Sequence, residues 1–429
     1  MISLKKLLRK ISIIIISICF ITGCKSKDTT IKPVRKYMEA FGTMITFTMY
    51  DSKEINKVFP KLENYLENLY FLLDREHLYD NLNNLATINQ NYGNGQEIVV
   101  DSLLIEALEL SVELMKLTDG YFNIGIGALA DTYKYYYYYD ENNRWTEAER
   151  FSSFGIVQDD PSEEQIEEAL SCTPTIDDLD NMLIINKESN SVIFNKISTC
   201  TDKIVSLSMG AIGKGFAVEK ARNYVSTLTD KVFFINAGSS SMVTKGINPI
   251  KDRDTWNIDI QAPYPYSNFL SSDYSYQVGI KGDLAISTSG DTEQFYFISS
   301  GKDENDKDII VKDEYGIELK RHHIINPKSG KPENYWNVIT FISSSRADIL
   351  DALTTASYSI SSIEEIQTLI SKIENRYNIT IDYALQRAKT DKNENLYVSS
   401  YISESLQDKL LWFKDYLVIE NKKEVDINE

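Results

Sequence analysis

Apolar side chains recur at helical spacing in two stretches of this 429-residue chain. Leu62, Leu66, Leu69 and Leu73 form one stripe. Leu103, Ala107, Leu110, Leu114 and Leu117 form another, opened by the capping pair Asp101-Ser102 and stopped at Gly120. Both are expected to turn one face to a core. Runs rich in β-branched and aromatic residues predict strands at 44–49, 182–185, 232–235, 256–260 and 338–342. Helical and strand patterns are mixed rather than strictly alternating, which favours an α+β fold. No Pro/Gly/Ser-rich linker and no internal repeat divides the chain, so it reads as one two-lobed unit of roughly 380 residues.

The first residues follow a different pattern. Lys5, Lys6, Arg9 and Lys10 precede an apolar run over 11–21 that is too short to cross a bilayer as a stable helix, the pattern of an export signal. It closes on Ile21-Thr22-Gly23-Cys24, which resembles the lipobox of bacterial lipoproteins. That resemblance implies cleavage before Cys24 and diacylation of its sulfur, the alternative being a plain cleavable signal. Residues 1–23 are thus expected to be a signal peptide, and 24–36 a lipidated cysteine with a polar tether. The mature protein would sit on the outer face of the cytoplasmic membrane, held through lipid alone.

Charge narrows the choice of partners. The formal net charge is −18, and losing residues 1–23 removes four cations and no acid, which leaves −22. Such a surface disfavours nucleic acid and anionic headgroups, and a pyrophosphate ligand would need local cations or a divalent metal. Of four cysteines, Cys172 and Cys200 remain in an oxidising setting; a disulfide between them and two free thiols are both open. No CxxC or Cys/His cluster supports zinc.

Several short segments could carry chemistry. In "SMGAIGKGFAVEKA", 208–221, Gly210, Gly213 and Gly215 flank Lys214 ahead of a helix-compatible run. Backbone N–H groups at a helix start with a nearby lysine suit phosphate oxygens, although a tight turn packed on a strand has the same composition. Asp351 and Thr355 in "LDALTTAS" are four apart on one helical face, which suits either a hard cation such as Mg²⁺ or a solvated pair. Strand ends at "STSGD", with Ser289 and Gly290, and at "INAGS", with Asn236, read equally as ligand loops or turns. "HHIINPKSGKP", 322–332, holds two of the three histidines, just before turn dipeptides. The tyrosine-rich 133–145 could stack on an aromatic ligand or be a surface segment.

The order of these segments is more informative than any one. "FGT" (41–43), "LTDGYFNIGIGAL" (117–129), "GAIGKGFAVEKA" (210–221), "INAGS" (235–239), "WNIDIQAP" (256–263), "STSGDTEQF" (287–295), "HHIINPKSGKP" and "DALTTA" (351–356) together resemble the ApbE family of FAD:protein FMN transferases. The resemblance runs from about residue 37 to 360. It implies a two-lobed ApbE-like unit with mixed or antiparallel sheets flanked by helices, over 37–418, followed by a polar tail at 419–429. It implies FAD as substrate, Mg²⁺, and a partner flavoprotein whose threonine or serine hydroxyl takes FMN through its phosphate as AMP leaves.

By the same resemblance, Asp351, Thr355 and the carbonyl of Ala211 would hold the metal, and Lys214 would neutralise the diphosphate. Gly210, Gly213, Asn236, Ser289 and Gly290 would lie along the cofactor. Thr118, Gly120 and Phe122 would line the flavin site, and Tyr79 matches a tyrosine of the family. His323 matches the family histidine, either as base for the incoming hydroxyl or as a hydrogen-bonding group on the cofactor. The chain departs from the family at Asn123, Ser208 and Asn326, each in place of Asp, and at Ser239 in place of Gly. A flavin transferase is thus the leading expectation, with an FAD pyrophosphatase or a non-catalytic FAD-binding lipoprotein as alternatives.

Overall fold

Along each main strand, odd and even positions turn to two different cores, as the two-residue period of an extended chain requires. In the computed structural model, which describes residues 31–138, 157–238, 240–267, 273–292 and 294–422, nine strands form one sheet. They are β1 (Val34–Ala40), β2 (Thr43–Met49), β3 (Phe233–Ala237), β4 (Ser241–Lys245), β5 (Leu284–Gly290), β6 (Val338–Ser343), β7 (Asp382–Thr390), β8 (Leu396–Ile402) and β9 (Leu417–Ile419). Their spatial order follows the chain, and every neighbouring pair is antiparallel except the last.

Ile235, Ala285, Ile339, Phe341 and Leu385 face a helical layer. This layer contains α1 (Ser52–Leu73), α2 (Ser102–Leu117), α4 (Gly213–Leu228), α5 (Ala347–Tyr358) and α6 (Ile363–Tyr377), and α3 (Gly127–Tyr138) lies beside it. Phe234, Ile286, Ile342 and Ala384 turn the other way, onto a three-stranded sheet of Trp256–Gln261, Tyr274–Ile280 and Leu410–Phe413. Covered on both sides, β6 is buried at every position and is mostly apolar, with Thr340 and Ser343 as its polar residues. The fold is α+β, a large antiparallel-rich sheet flanked by helices.

The leucine stripes lie where expected. Leu62, Leu66, Leu69 and Leu73 of α1 are buried, as are Ala107, Leu110 and Leu114 of α2, and Asp101 caps α2 by accepting the Leu103 N–H at 2.8 Å. Other boundaries differ from the sequence reading. Met182 ends a short helix and its strand begins at Leu183. β1 already starts at Val34, paired with Met49, so the expected tether loses its last three residues to the sheet. At the other end Ile419 belongs to β9 and the Asn421 side chain bonds Ile402, so the expected tail is held to the sheet that far. Cys172 and Cys200 are joined as a disulfide. The signal, Cys24, Ser239 and the tyrosine-rich segment beyond 138 lie outside the described residues.

One end of the sheet gathers the β1–β2 hairpin at Phe41-Gly42-Thr43, the β3–β4 turn after Gly238 and the end of β5 at Gly290. Val34 stands at the opposite end, since the seven residues of β1 span roughly 23 Å at about 3.3 Å each. Behind the first end, α4 crosses α5 closely at Gly215, where a Cβ would collide with the Ala347 carbonyl and the Asp351 Cβ. Gly215→Ala is expected to lower unfolding free energy by about 1–3 kcal/mol, measured by denaturant titration; an unchanged midpoint would mean the helices separate freely.

Candidate active site

At that end of the sheet lies an open cavity of about 600 Å³, within the usual range for small-ligand sites. Of the residues singled out from sequence, Gly210, Ala211, Gly213, Lys214, Ser289, Gly290, His323, Asp351 and Thr355 line it. Four separate chain segments thus meet: the start of α4, the end of β5, the loop after Lys320–His322, and the inner face of α5.

Asp351 is fixed from both sides. Its Oδ2 accepts the Gly215 N–H at 2.8 Å and its Oδ1 the Ser287 hydroxyl at 3.0 Å. Burial raises its pKa, and the nearby Lys214 charge and these hydrogen bonds work against that rise. One turn on, the Thr355 hydroxyl donates to the Asp351 carbonyl at 3.2 Å and lies 3.5 Å from Ser289 Oγ. The Gly215 N–H belongs to the first turn of α4, where no carbonyl of the helix can accept it, and the carboxylate takes it. Ile212 offers no side-chain cap to the start of α4; the Gly213 N–H goes to the Met209 carbonyl at 2.6 Å and the Gly215 N–H to Asp351, and this end of the helix lies on the cavity beside Lys214. The donors here are a carboxylate, a hydroxyl and a carbonyl, all oxygen, which suits a hard cation that keeps waters and takes further ligands from a substrate. Among the described residues no group of three or more His, Cys, Asp or Glu could hold a metal unaided.

The two histidines part company. His323 opens its ring to the cavity but has protein on enough sides that desolvation, helped by the Lys214 charge, lowers its pKa to about 4. His322 points into the core. Its Nδ1 accepts the Ile324 N–H at 3.3 Å, so Nε2 carries the proton and donates to the Glu333 carbonyl at 2.8 Å. Its ring meets Tyr358 edge-on, and burial drives its pKa down to about 3.

Five sequence candidates do not reach the cavity wall. The Tyr79 hydroxyl donates to Asp74 Oδ2 at 2.7 Å, and Asp74 is the residue that faces the cavity. Thr118 is buried: its hydroxyl donates to the Leu114 carbonyl at 2.8 Å and accepts the Phe122 N–H at 3.1 Å. With Gly120 at φ +80° this makes a tight turn that buries Phe122 and exposes Tyr121 and Asn123 to the cavity instead. Asn236 lies inside β3, on the face that turns from the helical layer. Sequence reading also missed Asp74, Arg75, Glu76 and Lys134 at one margin, and Gln261, Thr292 and Gln294 at another. Gln261, Thr292 and Gln294 lie within quoted segments and Lys134 in the tyrosine-rich one, whereas nothing local marks Arg75, which pairs with Asp131 on α3.

The sequence profile of the ApbE family matches residues 41–381. The chain belongs to the ApbE family. Its fold is similar to that of the ApbE protein of Thermotoga maritima, with a TM-score of 0.61 at 18% identity, over 88% of this chain and 99% of that one. The flavin transferase ApbE of Vibrio cholerae matches at 0.58 and 17%, over 88% and 99%. The apo flavinyl transferase ApbE of Pseudomonas stutzeri matches at 0.60 and 16%, over 90% and 98%. No curated protein matches the chain.

Set in this ApbE fold, the three positions at which the resemblance implies Asp are each committed to local hydrogen bonds. Asn123 is buried and uses its amide twice, donating to the Pro174 carbonyl at 2.8 Å and accepting the Gly125 N–H at 2.9 Å. A carboxylate could not make the first bond. Asn326 accepts the Lys328 N–H at 2.9 Å and donates to Glu333 at 3.2 Å, where an Asp would meet like charge. Ser208 accepts the Gly210 N–H at 3.3 Å and so braces the turn before α4.

His322 also makes stability depend on pH. Its folded pKa, about 3, lies below the ordinary 6.5, so its contribution is complete above pH 6.5 and is lost as pH falls toward 3. Between pH 7 and 5 the unfolding free energy is expected to drop by about 2 kcal/mol from this group, read as a shift in denaturation midpoint. His322→Gln should flatten that part of the profile; an unaltered slope would show that other groups cause it.

Proposed function

We propose that this ApbE-family protein is a Mg²⁺-dependent FAD:protein FMN transferase. It would cleave the FAD pyrophosphate, attach FMN through its phosphate to a threonine or serine of a partner flavoprotein, and release AMP. The observation that carries the reading is the convergence on one cavity of Lys214, the start of α4, the Asp351–Thr355 pair and His323. Three of these favour a phosphate or its counterion, and the fourth is a base.

Lys214 and the helix start would bind the diphosphate and neutralise part of its charge. Asp351, Thr355 and the Ala211 carbonyl would hold the metal, which when bound polarises the phosphate and offsets charge on departing AMP. His323, neutral above about pH 4, would take the proton of the incoming hydroxyl. The hydroxyl oxygen then bonds to the FMN phosphorus as the bond from phosphorus to the bridging oxygen breaks and AMP leaves. Positioning and charge neutralisation suffice for such a transfer, and no enzyme nucleophile is required.

The reading extends to location. With a lipid on Cys24, the chain would enter the domain at Val34, about 23 Å from the cavity end along β1. On the outer face of the membrane it would meet an extracytoplasmic flavoprotein. Among the described residues no helix is long and apolar enough to cross a membrane.

The protein incubated with FAD and Mg²⁺, with and without an acceptor domain, should release AMP and add the mass of one FMN to the acceptor. Asp351→Ala should abolish both, and Lys214→Ala should lower kcat/KM by about 100-fold. AMP without acceptor modification would instead mean an FAD pyrophosphatase, and bound FAD without AMP a carrier.

A further inference from the structure

We propose that the outer edge of β1 is the dock for the acceptor. An extended segment of the partner flavoprotein adds to the sheet there as a further strand and carries its threonine or serine into the cavity mouth. This rests on reading the cavity as the site of flavin transfer.

β1 ends the nine-stranded sheet, and among the described residues no strand pairs with its outer edge. Which backbone groups face that edge follows from the hairpin. Phe41 and Gly42, at φ +54° and +68°, form its two-residue turn, and Ala40 is paired with Thr43. Residues that flank such a turn exchange both N–H···O bonds, and bonded and non-bonded pairs then alternate along the antiparallel ladder. Ala40, Met38 and Lys36 therefore spend their N–H and C=O groups on β2. Glu39, Tyr37 and Arg35 turn theirs outward. The far side of β2 agrees with this parity: the carbonyl of Met44, the partner of Glu39, accepts the Gly238 N–H at 3.2 Å, on the β3 side and away from β1. Three residues in a line thus offer a partner strand up to about six main-chain hydrogen bonds.

Edges are usually blunted by a proline, a bulge or a covering segment. β1 has no proline, and it pairs with β2 without a shift in register. Its outward charges, Arg35 and Glu39, have opposite signs and flank Tyr37, which is exposed, as is Met44 across from Glu39. The cavity end of this edge is held firmly. The Phe41 ring meets Tyr70 edge-on, and Thr43 packs so closely on Gly238 that a Cβ there would collide with it. Phe41, Gly42 and Thr43 themselves line the cavity. That continuity identifies the occupant. The acceptor is a protein, so its reacting hydroxyl must come in on a segment that crosses the cavity rim. A strand laid along Arg35–Glu39 reaches Phe41 two residues on, roughly 7 Å away, and its next residues stand at the mouth. Main-chain hydrogen bonds hold such a segment and leave its hydroxyl free to react.

Tyr37→Pro tests the dock without touching the β1–β2 ladder, because it removes an N–H that points outward. With an acceptor domain that gains FMN from the wild-type protein, the variant should raise the KM for acceptor at least about 10-fold and keep kcat at saturating acceptor near the wild-type value. Its FAD affinity, followed by flavin fluorescence, and its thermal midpoint should not move. Met38→Pro removes an N–H bonded to β2 and should lower the thermal midpoint instead. In the wild-type protein, amide hydrogen exchange over 35–39 should slow when the acceptor is added. An unchanged KM in Tyr37→Pro, or exchange over 35–39 that the acceptor leaves unaltered, would overturn the proposal. So would a wild-type dimer that Tyr37→Pro splits, since a second copy would then hold the edge. FMN transfer to no acceptor by the wild-type protein would overturn the functional reading beneath it.

Discussion

Asp351 accepts the Gly215 N–H because no side chain stands between α4 and α5 where they cross. That close approach is the constraint on which the cavity depends. It brings a helix start and a carboxylate from residues 136 apart in sequence to hydrogen-bond distance, and it gives a first-turn N–H group of the helix its acceptor. The carboxylate is therefore oriented before any ligand arrives. A looser crossing would leave the charged groups near one another without fixing where their lone pairs point.

A buried ion pair holds the other wall in register. Lys320 Nζ lies 2.8 Å from Asp291 Oδ2, and both side chains are sealed from solvent. Asp291 also accepts the Asn337 amide at 2.7 Å, and the Lys320 ammonium lies over the rings of Tyr264 and Phe295. The pair ties the residue after β5 to the short strand Lys320–His322, which pairs with Phe295–Phe297. His323 follows directly, so its position relative to Ser289 and Gly290 is set by a contact among residues that face no ligand. Removing either partner would strand a charge in the core, a far larger penalty than the pair itself contributes. The two histidines show how one local sequence serves two ends: His322 anchors the turn through the Glu333 carbonyl, and His323 is left to the cavity.

Much of this was legible in advance. Leucine periodicity placed α1 and α2, runs rich in β-branched and aromatic residues placed β2 and β6, and the family motifs gave the α4 start, the Asp351–Thr355 face and His323. β7 was not legible, because Gln386 and Arg387 are buried there and read as surface residues. They are tolerated since the Gln386 amide donates to the Gln261 carbonyl and Arg387 pairs with Asp313. The segment around Thr118 was legible as a motif but not in its geometry. The left-handed turn at Asp119-Gly120 buries Thr118 and Phe122 and gives the cavity their neighbours instead.

Local sequence by itself determined α1, α2, β2 and β6, the Asp101 cap and the residue types at each candidate position, because periodicity and turn chemistry act over a few residues. It also determined that the chain is strongly acidic, and hence that an anionic ligand would need its own cations. Only the tertiary structure decided which of those residues share a cavity, that Tyr79 reaches it through Asp74, and that the amide of Asn123 is committed to the Pro174 carbonyl. The physical reason is common to all three. Burial and hydrogen-bond satisfaction are settled by partners distant in sequence, so a polar side chain reads the same along the chain whether it faces a ligand or closes a turn.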